Sequence, residues 1–77
     1  MDAVCQKLLA AACSIANQSA ESILSDIASY PGKDGGHSDW RYYVPEVVRE
    51  CWLELPLSAQ LVAFTMSEAR SQSECLD

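Results

Sequence analysis

Apolar and polar positions alternate with a helical period along most of the chain. Between residues 2 and 29, Val4, Cys5, Leu8, Ala12, Ile15, Ala16, Ile23 and Ile27 fall on one face. Gln6, Lys7, Ser14, Asn17, Gln18, Glu21 and Ser25 fall on the other. Alanine is frequent in this stretch and Gly and Pro are absent, so intrinsic propensity agrees with the pattern. One long helix is expected over 2–29. Ser19 interrupts the stripe and marks Asn17-Gln18-Ser19 as the place for a break. Unbroken, this helix would be ~42 Å long. A chain of 77 residues makes a body only ~23 Å across or slightly more. The helix must therefore fold against later elements or project.

The strongest punctuation is Pro31 to Gly36. Pro31-Gly32 suits a type II turn with positive φ at the glycine. Asp34-Gly35-Gly36 extends it as loop. Ser38 to Val44 is ambiguous: its aromatics and Val favour an extended segment, whereas Ser38 or Asp39 can cap a short helical turn. Pro45 fits the first position of a helix over 45–55, with Val44, Val47, Val48, Cys51, Trp52 and Leu55 as its stripe and Pro56 as its end. Ser58 suits the N-cap of a helix over 58–73, with Leu57 and Val62 placed for a hydrophobic staple. The pattern thus predicts an all-α fold in one domain over 1–77. It is a small three-helix bundle with a long N-terminal helix, two shorter helices, and a Gly-rich and aromatic connector over 30–44.

Composition narrows the function classes. Hydrophobic residues make up 49 %, enough for a core, so the chain is not of the disordered class. Eleven acidic and five basic residues give a formal net charge of -6. Lys7, Lys33, Arg41, Arg49 and Arg70 are scattered, which argues against direct nucleic-acid binding and against an anionic membrane surface. A core this small sits near break-even, so association with a partner or with itself is expected.

Cys5, Cys13, Cys51 and Cys75 include no C-x-x-C pair, so neither a zinc nor a redox signature is present. Cys5 and Cys13 would lie ~12 Å apart along a helix, too far for a mutual disulfide. Reduced thiols in a cytoplasmic protein are the expectation, with no metal and no cofactor. The apolar run Leu8 to Ala16 follows too short a leader, which contains Asp2, to read as a signal peptide, and nothing is long enough to span a bilayer.

Four constellations remain as candidate chemistry. His37, with Asp34 and Asp39 nearby, is the only histidine. It lacks a nucleophile at a useful spacing, and Gly-Lys-Asp-Gly-Gly does not have phosphate-loop spacing. No enzyme is expected, and a His37-based activity is the remote alternative. Trp40, Arg41, Tyr42 and Tyr43 are consecutive and of the types that dominate binding hot spots. Glu46, Glu50 and Glu54 recur every four residues, which on a helix makes a carboxylate ridge with ~6 Å steps. In Leu61 to Met66, Val62 and Met66 point one way and Leu61 and Phe64 another, an arc wider than one core face needs. Leu61 and Phe64 are the candidate dimer or partner patch.

Together these predict a small acidic, non-catalytic binding protein acting by stoichiometric protein–protein contact. Its partner-binding residues would be Trp40, Arg41, Tyr42, Tyr43, Glu46, Glu50 and Glu54. In size and charge, though not in any motif, the chain resembles phage-encoded inhibitors of host machinery, including anti-CRISPR proteins and DNA mimics. That likeness implies an inhibitor that occupies a basic nucleic-acid-binding site on its target, and it assigns no residues. The alternative is a homodimeric helical assembly or small structural subunit.

Overall fold

Two local signals decide how the N-terminal half folds. Asp2 caps the first helix, α1 (Ala3–Ala16), its carboxylate accepting from the Cys5 N–H at 2.8 Å. That hydrogen bond to the charged form holds the Asp2 carboxyl below its usual range. At the other end Asn17 adopts the left-handed conformation, φ 54° and ψ 46°, which asparagine tolerates better than most residues. The N–H groups of Asn17 and Gln18 both converge on the Cys13 carbonyl, closing α1. Ser19 then caps α2 (Ala20–Ser29), its hydroxyl accepting from the Ser22 N–H at 3.2 Å. The helix expected over 2–29 is therefore two helices, broken at the residues the stripe had marked. The break lets α2 return against α1 and α4 instead of projecting.

The computed structural model describes residues 1–32 and 39–75, the last of them by backbone only. His37, Asp34, Gly35, Gly36, Lys33 and Ser38 lie outside the described residues, as does the Cys75 side chain. Chain reversal after α2 occurs at Ser29–Gly32, where the Gly32 N–H donates to the Ser29 carbonyl at 2.9 Å and the Tyr30–Pro31 bond is cis. Gly32 does not take the positive φ that the expected type II turn requires of it.

Trp40–Tyr43 forms a 3-10 turn. Asp39 caps it through the Arg41 N–H at 3.0 Å, so this part of the connector is helical and not extended. The helix expected over 45–55 is a short α3 (Glu46–Glu50) followed by a second 3-10 turn, Trp52–Glu54. Pro56 explains the shortening: it has no N–H to bond the Trp52 carbonyl, and its ring drives Leu55 to an extended φ of -78° and ψ of 143°. The Trp52 carbonyl is instead satisfied by the Leu55 N–H at 3.2 Å and the Gln60 side-chain amide at 2.7 Å. The last helix, α4 (Leu57–Cys75), is the longest. Among the described residues there is no strand, and no helix is long and apolar enough to cross a membrane.

All elements are organised around α4. Its most extensive contacts are with α1 and with the first 3-10 turn. Leu61, Phe64, Ser67 and Ser71 form its buried stripe, joined by Ala12 of α1, Ile23 and Ile27 of α2, Tyr30, Trp40 and Trp52. Small Ser67 and Ser71 let a neighbouring backbone come close. The Gln72 side chain donates to the Ile15 carbonyl at 2.6 Å, tying the far end of α4 to the end of α1. Val4, expected on the buried face of the first helix, is exposed, while the neighbouring Cys5 and Leu8 pack against the core. The radius of gyration, 11.7 Å, matches the ~11.5 Å of a fully packed chain of this length.

The break between α1 and α2 is testable by denaturant unfolding. Asn17→Val places a β-branched residue at positive φ and should cost ~1–2 kcal/mol, whereas Asn17→Gly should be neutral or slightly stabilising. Ser19→Ala should cost ~1 kcal/mol by removing the cap of α2. Equal effects of the valine and glycine variants would contradict the left-handed break.

Candidate functional site

The four consecutive residues Trp40 to Tyr43 divide between interior and surface. A 3-10 turn has about three residues per turn, so residues 40 and 43 share a side. That side faces α4. Trp40 is 3 % exposed, packed at 4.9 Å between ring centroids against Phe64 and at 5.2 Å against Tyr30. It is a core residue and does not lie at the surface expected for it from sequence. Its Nε1–H has no hydrogen-bond partner among the described residues. Tyr43 is half-buried, with the Arg70 guanidinium 5.6 Å above its ring. Tyr42 is 54 % exposed and meets Tyr43 edge to face at 5.1 Å.

Arg41, expected at the binding surface, is instead committed to the fold. Its guanidinium pairs with Asp39 at 2.9 Å and with Asp26 of α2 at 3.5 Å, and lies 4.9 Å from the Trp40 ring centroid. The side chain is only 11 % exposed. It latches the connector onto α2 and covers the tryptophan.

Glu46, Glu50 and Glu54 are all exposed, but they do not form one helical ridge. Glu46 and Glu50 are one turn apart on α3, while Glu54 belongs to the 3-10 turn after the helix has ended. What the segment presents is an acidic strip interleaved with apolar side chains. Val47 is 71 % exposed and Leu53 80 %. Exposed Val47 corrects the expected stripe, which does not include Leu53: α3 is too short to bury more than Val48 and the Cys51–Trp52 corner. Cys51 directs its thiol to the Val47 carbonyl at 3.3 Å, and Cys5, Cys13 and Cys51 are free thiols.

Leu61 and Phe64 are fully buried, so neither belongs to a dimer or partner patch. They sit on the face of α4 turned to Ala12, Trp40 and Trp52. The opposite flank carries exposed Val62 and Met66, and here a groove of about 620 Å³ opens between α4 and the segment from Tyr43 to Leu55. The divergence of Val62 and Met66 from Leu61 and Phe64 was legible in the helical projection. Which pair faced outward was not, because that depends on where the connector packs. Val48, Leu55 and Arg70 had no sequence signal as groove residues.

Comparison of the chain with protein-family models, with curated proteins and with solved structures finds no match.

The Arg41 latch gives a direct check. Arg41→Ala leaves Asp26 and Asp39 without their cation and should lower stability by ~1–3 kcal/mol. Arg41→Lys should recover only part, since an ammonium cannot pair with two carboxylates and stack on Trp40 at once. An Arg41→Ala protein as stable as the parent in urea would return Arg41 to the surface.

Proposed function

We propose that this chain is a non-catalytic binding protein that acts by stoichiometric contact with a basic surface of another protein. The supporting observation is the strip from Tyr42 to Glu54. There Tyr42, Val47 and Leu53 are exposed among the exposed carboxylates of Glu46, Glu50 and Glu54. The same segment carries one exposed cation, Arg49, so carboxylates outnumber it three to one there. Such a strip suits an interface in which carboxylates steer a cationic partner and the apolar groups exclude water once it has docked.

In its sharpest form the partner is a protein with a nucleic-acid-binding site, and the strip stands in for phosphates. The net charge of -6 favours that encounter at long range. This makes the chain an inhibitor by occupation, in keeping with its likeness in size and charge to phage-encoded inhibitors, anti-CRISPR proteins and DNA mimics. A cytoplasmic setting fits the reading, since Cys5, Cys13 and Cys51 are free thiols and a reducing compartment preserves them. The homodimer alternative rested on the small core and the broad apolar arc of α4; of that arc Leu61 and Phe64 are in the core, while Val62 and Met66 are exposed.

The experiment is capture of a partner from the cells that express the chain, comparing the parent with the variant Glu46→Gln, Glu50→Gln, Glu54→Gln. The parent should retain one partner at equal stoichiometry and release it as salt rises. The triple variant should bind about tenfold more weakly with a flatter salt dependence, because three screened charge contacts are lost. Equal affinity and equal salt dependence of parent and variant would contradict the proposal.

A further inference from the structure

The groove beside α4 has a predominantly aliphatic lining. One wall is a stripe along α4 that includes Ala59, Val62, Ala63 and Met66, and the other is the chain from Tyr43 through Val48 to Leu55, running the opposite way. None of its lining residues carries a carboxylate, although the chain has 11 acidic residues. Its polar groups are gathered at one end. Tyr43, Ser67 and Arg70 lie there, while the remainder is aliphatic carbon, proline and the Met66 thioether.

Arg70 is the only charge in the groove. Arg41 is taken up by its ion pairs with Asp39 and Asp26, whereas the Arg70 guanidinium carbon lies 5.6 Å from the Tyr43 ring centroid. A cation–π contact with a ring leaves the N–H groups of a guanidinium able to take a carboxylate in bidentate fashion. An apolar trough with a single guanidinium at one end has the layout of an amphiphile site. We propose that the groove binds a medium-chain aliphatic carboxylate, with the headgroup on Arg70 and the tail along Met66, Val62 and Leu55.

The dimensions agree. From Ala59 to Arg70 the α4 wall is about 16 Å long at 1.5 Å per residue. An extended hydrocarbon advances about 1.25 Å per methylene, so roughly twelve carbons span it. The groove volume of about 620 Å³ lies inside the usual range for small-molecule sites. The fold holds this site open independently of any ligand, because the same helix is anchored on its other face by Leu61 and Phe64.

The site is separate from the acidic strip of the proposed function, since Glu46, Glu50 and Glu54 do not line the groove. The test is calorimetric titration of the whole chain with dodecanoate below its micelle concentration, with 1-dodecanol and hexanoate as controls. The parent should bind one dodecanoate saturably. Affinity should fall about fourfold for every two carbons removed, as expected for methylenes about half-covered in an open groove. Arg70→Gln should weaken dodecanoate about tenfold and leave dodecanol within about twofold. Met66→Glu puts a carboxylate into the trough at an exposed position that the fold does not need, and should abolish binding of both. The triple glutamine variant at Glu46, Glu50 and Glu54 should bind dodecanoate like the parent, so this proposal and the partner proposal can fail separately. Absence of saturable dodecanoate binding, or equal affinities of the parent and Arg70→Gln, would overturn the assignment. So would preferential binding of an apolar peptide over dodecanoate.

Discussion

The Nε1–H of Trp52 donates to the Ile27 carbonyl at 3.1 Å from inside a cluster of four rings. Tyr30 meets Trp52 edge to face at 4.9 Å, Trp40 lies 6.2 Å from Trp52, and Phe64 closes the cluster against Trp40. Each ring comes from a different element: the end of α2, the two 3-10 turns and α4. Large rings in edge and tilted contact bury much apolar area with few residues, which is what a chain of this length requires. The indole hydrogen bond fixes how the Trp52 corner sits on α2, satisfying a donor that would otherwise be stranded in the core.

The irregular features of the second half follow from that cluster. Trp52 reaches the interior because α3 stops at Glu50 and the chain tightens into a 3-10 turn. Pro56 keeps the turn from relaxing into a continuous helix, and the Gln60 amide joins the Leu55 N–H on the Trp52 carbonyl. With Trp40 and Trp52 both drawn onto one face of α4, the other flank of α4 is left to the groove. The acidic strip is displaced to the outside of the Trp40–Leu55 segment. The acidic strip and the aliphatic groove, with Arg70 as the one charged residue of its lining, thus lie on different sides of that segment.

Much of the fold was legible in the residues. The helical period and the break at Asn17-Gln18-Ser19 are local properties; the Asp39 cap was one of two alternatives for a segment that also read as extended. The length of α3 was harder to read, because a stripe of Val47, Val48, Cys51 and Trp52 is compatible with a longer helix until Pro56 and the demands of the Trp52 ring are combined. The candidate site was legible only in part. Glu46, Glu50, Glu54 and Tyr42 are at the surface as expected, whereas Trp40 and Arg41 were assigned by residue type to a surface that tertiary packing denies them. Leu61 and Phe64 were separated correctly from Val62 and Met66 but given the wrong side. Helical periodicity fixes the angle between two faces and not which of them meets the core.

The most direct measurement is denaturant unfolding of Trp40→Ala beside Tyr42→Ala, two aromatics separated by one residue in the same turn. If the ring cluster organises the fold, Trp40→Ala loses about 3–5 kcal/mol, enough to remove cooperative unfolding from so small a domain. Tyr42→Ala should then unfold within about 0.5 kcal/mol of the parent. Comparable stability of the two variants would mean that Trp40 is not held in the core, and the account built on the cluster would fail.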